Sequence, residues 1–590
     1  MSNPEIFYNQ KLREYENVYQ GLRRKLVLSG LLRLTVFLTA AIIVYYTWAE
    51  IRLVIPLAAL AIFIFIYLVA RHSSIQKKCD FYKALIAVNS VELAVLKGDF
   101  SGLDPGDRYR DSSHDYSEDI DLFGEKSFFQ YLNRTSLQDG SDFLAASLLE
   151  NSTQFVLEKQ RAVQELARLP EWRQEFSALA SLVQTEMKAG EISEWMNRHR
   201  SFSPRNSLFL TGGFTAVSLI LISAYFLGWI SGYFPGIWFF TGLVISGRFG
   251  KKVSALSENT SRAHNTFEQF YKLILKIETQ EFSSFLLREK QGYVTGSSQK
   301  ASEMLKKLTR YTDALDQRNN LIVRIFGNGL LLWDIRHSFL IEKWIRNHKD
   351  QVSGWFDTLA FFDAYNTLGN FSFNHPGYVF PLIQDGDFIL KVKAGAHPLI
   401  PESQRVSNDY EIKKSEFFII TGANMAGKST FLRTVSLQLV MGNAGLPICA
   451  ESAVYNPVRL ITSMRTTDSL SKEESYFFSE LKRLKFIVEA ISREPYFVIL
   501  DEILKGTNST DKAIGSRKFV EKLVAKKASG IIATHDLSLC EVAGEYPEVK
   551  NYFFDADIKE NNLFFDYTLK PGICENMNAS FLLKKMEIID

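Results

Sequence analysis

Cysteine is scarce and scattered. The 590-residue chain has four, Cys79, Cys449, Cys540 and Cys574, none near another. That spacing excludes a zinc cluster of paired cysteines and a disulfide framework, and isolated thiols suit a reducing compartment. An excess of charge of one sign is also missing. With 68 basic and 66 acidic residues, the formal net charge is +2. Bulk charge therefore points to no nucleic-acid partner, although a local basic face stays open. No internal repeat or low-complexity tract is present. A chain of this length exceeds one compact core, so roughly two to four domains are expected.

What is present is unevenly placed. Apolar residues make up 46% of the chain, and many fall in four runs. The first two are Leu34–Trp48, extended upstream by Leu26–Leu32, and Leu53–Ala70. Each is close to the ~20 residues that cross a bilayer. Only Glu50–Arg52 separates them, so they read as a helical hairpin. A cleaved signal peptide fits poorly, because the two runs lie back to back and no small-residue cleavage site follows the first. A second pair, Leu208–Trp229 and Phe234–Ser246, is split by the turn Gly232–Pro235. The alternative for each pair is a buried core hairpin. Basic residues flank the outer ends: Arg23, Arg24, Lys25, Arg71, Lys77 and Lys78, then Arg248, Lys251 and Lys252. The positive-inside rule then puts the N-terminus, the middle region and the C-terminus on the cytoplasmic side of a multi-pass membrane protein.

Residues 104–121 are acidic, polar and contain Pro and Gly, and read as a loop or linker. Residues 125–200 and 253–350 carry apolar positions at helical spacing and read as long helices, with breaks expected at Gly327–Gly329 and Gly369. From about residue 380 short apolar strands alternate with helices, as in an α/β layer.

The strand Phe417–Ile420 leads into Thr421-Gly-Ala-Asn-Met-Ala-Gly-Lys-Ser-Thr430 and then a helical stretch, Phe431–Met441. Gly422, Gly427, Lys428 and Ser429 satisfy the P-loop (Walker A) spacing in its strand–loop–helix setting. There the backbone of Gly422, Ala423, Asn424, Met425, Ala426, Gly427, Lys428, Ser429 and Thr430 wraps phosphates. The helix N-terminus adds a favourable dipole. Lys428 reaches the β- and γ-phosphates, and the Ser429 hydroxyl ligates Mg²⁺. A second apolar strand, Tyr496–Leu500, ends in Asp501-Glu502. Carboxylates at the end of a parallel strand face the ligand crevice, so Asp501 is read as the second Mg²⁺ residue and Glu502 as the group that polarises the attacking water. A third, Ser529–Thr534, ends in His535, placed to sense the γ-phosphate; the alternative is a surface histidine at a strand cap.

Together these elements resemble the C-terminal ATPase of the MutS mismatch-repair family. The Asn424-Met425 pair inside the loop and Phe431-Leu-Arg433 after it are more specific than a generic P-loop. Asp501-Glu-Ile-Leu-Lys-Gly-Thr-Asn-Ser-Thr-Asp511 resembles the family's segment after its magnesium aspartate, and Ala533-Thr-His-Asp536 its switch histidine. Asp468-Ser-Leu through Ser475-Tyr-Phe-Phe-Ser-Glu480 resembles its signature loop, and Val406-Ser-Asn-Asp409 the stretch that approaches the adenine. Upstream, Leu122-Phe123 through Gly140, Leu148–Leu166, Phe362–Leu368 and Gly395-Ala-His-Pro398 resemble the family's helical core, lever and return to the ATPase.

The apolar runs and the resemblance together imply an α+α/β protein: from the runs, an N-terminal transmembrane hairpin and a second hairpin; from the resemblance, a long-helix lever and core around that second hairpin and a C-terminal P-loop NTPase domain of ABC type. The divisions are 1–29, a cytoplasmic segment; 30–72, the first hairpin; 104–206 and 253–380, the two parts of the core and lever; 207–248, the second hairpin; and 385–590, the ATPase. The resemblance implies ATP and Mg²⁺ as cofactors, ATP hydrolysis with Glu502, His535 and Lys428 in catalytic roles, and a homodimer. In that dimer Ser475 touches the γ-phosphate in the opposite subunit, and closure moves the lever helices.

There are departures. Glu473 and Tyr476 stand where the family has Gly and Thr, and Leu504 and Lys512 replace glycines. A membrane hairpin occupies the space of the mismatch-reading domain, and the second hairpin falls where the family inserts its DNA clamp. The wedge tripeptide Phe-x-Glu occurs at Phe123, Phe478 and Phe519 and carries no information. Mismatch reading is not expected, while DNA stays open as a partner. Basic runs at Lys306-Lys307-Leu-Thr-Arg310 and Lys522–Lys527 suit phosphate contacts or a solvated helix face. The competing classes are an ABC-type transporter, which lacks support because no Leu-Ser-Gly-Gly-Gln loop is present, and a nucleotide-dependent scaffold that does not act on DNA.

Overall fold

The computed structural model describes residues 3–47, 51–183, 187–204, 206–296, 299–465, 476–505, 507–559 and 562–574. The first two helices, α1 (Pro4–Thr47) and α2 (Ile51–Leu96), are 44 and 46 residues long and pack along each other. Their apolar halves face outward: Phe37 is 61% and Phe63 71% exposed. Their polar halves dock on the rest of the chain. Tyr8 donates its hydroxyl to Asn374 Oδ1 at 2.8 Å, Lys11 pairs with Glu171 at 2.8 Å, and Gln174 donates to Asn89 Oδ1 at 2.9 Å. Helix α1 passes residue 29 without a break, so the polar N-terminal segment and the apolar run after it are one element. Among the described residues three helices are long and apolar enough to cross a membrane: Pro4–Tyr46, Val54–Leu96 and Ser207–Phe226.

The stretch expected as long helices over 125–200 is instead five short ones: α3 (Phe128–Leu132), α4 (Gln138–Glu150), α5 (Val156–Ala167), α6 (Pro170–Ser181) and α7 (Ala189–Arg198). The stops are local. Ser127 caps α3 by accepting from the Gln130 amide, Asn151 ends α4 in the left-handed region at φ 48°, and Pro170 opens α6. Then come α8 (Ser207–Phe226), α9 (Tyr233–Thr279), α10 (Phe285–Thr295) and α11 (Ala301–Asp316). The apolar run Phe234–Ser246 is thus the opening of a 47-residue helix, with Pro235 in its first turn. A π-helical turn, Val323–Gly327, the short α12 (Asn328–Leu331) and Leu332 at φ 50° make the break expected near Gly327–Gly329. The 42-residue α13 (Trp333–Asn374) returns to the ATPase.

Gly369 was expected to break a helix, yet α13 runs through it. A Cβ at Gly369 would lie 2.8 Å from Leu166 Cβ, so the small residue serves the close crossing of α13 over α5. The acidic loop 104–121 is also no free linker. Asp119 accepts from Thr462 Oγ1 at 2.5 Å and from the Met464 and Arg465 amides at 3.0 and 2.8 Å, which pins the loop to the ATPase.

The ATPase strands are β1 (Leu382–Ile383), β2 (Phe388–Gly395), β3 (Asn408–Lys413), β4 (Phe417–Gly422), β5 (Ser452–Tyr455), β6 (Arg459–Ser463), β7 (Tyr496–Asp501), β8 (Ser529–Ala533), β9 (Val549–Lys559) and β10 (Asn562–Pro571). They form a sheet of order β1-β5-β2-β3 and a larger one of order β10-β9-β4-β8-β7-β6. In the larger sheet the pairs β6–β7, β7–β8, β4–β8 and β4–β9 are parallel, and β10 is the antiparallel edge. Helices α14 (Lys428–Asn443), α15 (Tyr476–Ala490) and α16 (Ser509–Ala525) flank it. Every residue of β4 is buried. Phe418 and Ile420 enter a core continuous with the helical body, and Phe417 and Ile419 enter a second core under α15 and α16. A strand covered on both faces needs an unbroken apolar run, which is what Phe417–Ile420 supplies.

Candidate active site

The loop after β4 is shaped by its glycines. Gly422 lies at φ 149° and Gly427 at φ 106°. A Cβ at Gly422 would sit 2.5 Å from the Phe554 carbonyl oxygen, so a side chain there would push β4 and β9 apart. Met425 takes the left-handed region at φ 67° and is 77% exposed. The turn delivers Lys428 and Ser429 to the first positions of α14, where helical amides have no partner within the helix and favour an anion.

Lys428 is buried and donates from Nζ to the carbonyls of Gly422 at 2.7 Å and Ala423 at 3.0 Å; His535 Nε2 is 3.4 Å away. Burial pulls its pKa down, opposed by Glu502 and Asp501. Asp501 ends β7, and Ser429 Oγ donates to its Oδ2 at 2.7 Å. Burial raises the Asp501 carboxyl, with the Ser429 bond acting against it. Glu502 turns back at φ 51°, and its amide donates to the Ala533 carbonyl at 2.9 Å. Its Oε1 lies 2.8 Å from His535 Nε2, and that contact first of all holds the Glu502 carboxyl down at about 2. Lys428, Ser429, Asp501, Glu502 and His535 therefore meet, although they come from three separate strand ends. A hydroxyl and a carboxylate side by side are hard oxygen donors of the kind Mg²⁺ takes alongside phosphate oxygens.

These groups, with Asn424, Met425, Ala426, Gly427 and Thr430, line a cavity of about 640 Å³. Gly422 and Ala423 form the floor beneath Lys428 through their carbonyls. Ser475 and the neighbouring Glu473 and Glu474 lie outside the described residues. The far wall, which includes His397, Phe554 and Tyr567, holds no residue that the sequence motifs assign to the site. Tyr567 sits at φ 54° with its ring against Gly427, where an added Cβ would be 3.0 Å from the ring. Asn408 fixes it there by donating to the Tyr567 carbonyl at 3.1 Å and accepting from the Leu569 amide at 2.6 Å. Asn408 was visible within Val406–Asp409; Tyr567 gave no sequence signal, because its place depends on the β9–β10 pair folding back over the loop. Burial pushes the His397 imidazole down to about 4, so it faces the cavity neutral.

Glu480, 3% exposed, accepts from the amides of Leu504 at 2.6 Å and Lys505 at 3.2 Å and so holds the turn after Glu502. Leu504 lies at φ 61°, a conformation costing a side chain ~1–2 kcal/mol, which is why a glycine would suit this position. On the other side, Asp121 joins Arg433 of α14 at 2.9 Å to Arg465, the last described residue before 466–475. At its far end α14 rests on the helical body: Asn443 donates to Asn151 Oδ1 at 2.7 Å, and Lys159 donates to the Asn443 carbonyl at 3.1 Å. Phe123, first residue of one Phe-x-Glu tripeptide, is buried against Tyr109 and Phe129 and is not available to wedge between bases.

Comparison with known proteins bears on the same region. The family model for MutS domain V matches residues 418–586. The MutS protein homolog 4 of Homo sapiens is 32% identical over 223 residues, 36% of this chain and 23% of that protein. The DNA mismatch repair protein MutS of Thermotoga petrophila is 30% identical over 236 residues, 39% of this chain and 29% of that protein. The corresponding protein of Natronomonas pharaonis is 33% identical over 190 residues, 31% of this chain and 22% of that one. The chain spans less than a third of the length of each of these relatives. The matched residues include the whole constellation around Lys428, so it is over this domain that the chain is similar to the MutS family.

Proposed function

We propose that this protein is a membrane-anchored, MutS-type ATPase whose nucleotide cycle closes a homodimer and moves its helical body. The observation that carries the reading is the meeting of Lys428, Ser429, Asp501, Glu502 and His535 at one glycine-built loop, with Ser429 Oγ 2.7 Å from Asp501. Lys428 exchanges its two carbonyl partners for phosphate oxygens when ATP enters. Ser429 and Asp501 would hold Mg²⁺, whose charge would offset that of the phosphates. Glu502 stays ionised beside His535 and orients the attacking water, the task of a general base. Tyr567 and Asn408 bound the side of the cavity where the base of the nucleotide rests.

The rest of the reading follows from contacts and composition. Ties of Asp121 to Arg433 and of Asn443 to Asn151 carry motion of α14 into the helical body. The outward apolar halves of α1 and α2, and α8 with the start of α9, enter a bilayer, with the ATPase on the cytoplasmic side. Mismatch reading forms no part of the function. DNA is the partner suggested by the mismatch-repair relatives, through exposed Lys306, Lys307 and Arg310 on α11. Ser475 completes the opposite subunit's site.

The test is turnover by detergent-purified protein, with and without duplex DNA, beside Lys428→Ala. Mg²⁺-dependent hydrolysis that Lys428→Ala abolishes is expected. Equal rates in both proteins would show that the assigned site is wrong. Turnover indifferent to DNA, together with no salt-sensitive DNA binding, would remove DNA and leave the ATPase.

A further inference from the structure

Residues 321–332, LIVRIFGNGLLL, belong to neither hairpin, yet they pack against the second. Gly329 is pressed against the Phe239 ring, and a Cβ at Gly242 would lie 2.5 Å from the Gly329 carbonyl oxygen. The Phe326 and Phe239 rings are 5.7 Å apart. Ser218 donates to the Leu330 carbonyl at 2.7 Å and accepts from Trp238 Nε1 at 3.0 Å. These contacts are far from the basic end of the hairpin. Gly242 and Phe239 are six and nine residues tipward of Arg248, roughly 9 and 14 Å along a helix. Ser218 lies eleven residues into α8, roughly 16 Å from its base.

We infer that residues 321–331 form a re-entrant element, dipping into the same bilayer as the second hairpin and leaving by the face it entered. This rests on the membrane reading of that hairpin. Three observations name lipid as what covers it. Its outer side chains are apolar and bare: Leu321 is 59%, Ile322 68% and Phe326 57% exposed, as Phe240 and Val244 are on α9, which the segment touches through Phe239 and Phe326. Its irregular backbone is closed from inside the protein, by Ser218 on Leu330 and by Asn328 Oδ1 accepting from the Asp334 amide at 3.0 Å. Such closure is what non-helical backbone requires at membrane depth. Both ends are tied to the polar side: Asp316 accepts from Ser261 at 2.6 Å, and Arg318 pairs with Asp334 at 3.2 Å. Arg324, the one charge in 321–331, has a stem long enough to carry its head toward the headgroups.

The test places a nitroxide on Phe326→Cys in the full chain, reconstituted in phosphatidylcholine–phosphatidylglycerol vesicles. Collision with dissolved oxygen is compared with collision with a water-soluble nickel chelate. Val244→Cys in the hairpin and Phe285→Cys in the helical body are the references, 73% and 65% exposed. The four native cysteines are buried, and unsubstituted protein gives the labelling blank. The expected oxygen-to-nickel ratio at 326 is close to that at 244 and several-fold above that at 285. A ratio at 326 like that at 285, with 244 lipid-like, overturns the inference and leaves the hairpin in the membrane. A water-like ratio at 244 as well ends both readings. Ile322→Cys reads the same segment should Phe326→Cys fail to fold.

Discussion

Replacing Asp119 with alanine is expected to loosen the ATPase domain by about 3 kcal/mol. The carboxylate is 8% exposed and receives three hydrogen bonds, from Thr462 Oγ1, the Met464 amide and the Arg465 amide. Those losses are not equal. Thr462 keeps a second acceptor, the Asp115 carbonyl at 3.3 Å, and Arg465 is exposed and can turn to water. The Met464 residue is 6% exposed, so its amide is left without a partner, at ~1–3 kcal/mol. Losing charge-assisted bonds from the other two adds roughly another 1–2 kcal/mol. For a domain of this size, each kcal/mol moves the melting point by about 2–4 °C, so a fall of about 6–12 °C is expected. Calorimetry of the detergent-solubilised protein reads it. Asp119→Asn keeps one acceptor oxygen and should fall between the two. A melting point unchanged in Asp119→Ala would refute the claim that the acidic loop holds the ATPase domain.

Three further outcomes are expected. Glu502→Gln should keep nucleotide binding while single-turnover hydrolysis falls by about 10²–10⁴, the range for a lost general base; hydrolysis at the parent rate would remove Glu502 from the chemistry. Gly427→Ala places a Cβ at φ 106° and 3.0 Å from the Tyr567 ring, at a cost of ~1–2 kcal/mol, so nucleotide affinity measured by titration should weaken about tenfold. Asp363 is buried and its carboxyl is pushed up to about 7, from 3.8, by desolvation. The unfolded chain then releases this proton first, so folding stability declines as pH rises from about 4 to about 7. Asp363→Asn, with no charge to bury, should flatten that decline in urea titrations at about pH 5 and about pH 8.

The site was legible in the sequence where chemistry and chain order coincide. Gly422 through Ser429 encode a loop by themselves, because two glycines at positive φ and a following helix fix its shape. Asp501, Glu502 and His535 were readable because each closes an apolar strand, and parallel strands end on one side. Tyr567, His397 and the Asp121 bridge were not, since each depends on segments distant in sequence meeting in space. Helical periodicity over 125–200 pointed to helices but not to their ends, which were set by Ser127, Asn151 and Pro170. Gly369 misled because a glycine in a helix serves either a break or a close crossing, and only the neighbour, Leu166, decides.

The unbroken course of α1 has a mechanical consequence. With Tyr8 bonded to Asn370 and Asn374 near one end, the helix is a stiff rod, and from Tyr8 to Thr47 it measures roughly 58 Å. A tilt of about 5° at the anchored end carries the far tip, with α2 packed beside it, sideways by roughly 5 Å, by the same geometry. Small rotations imposed at Asn370 and Asn374 are thus amplified into a stroke about half a helix diameter wide.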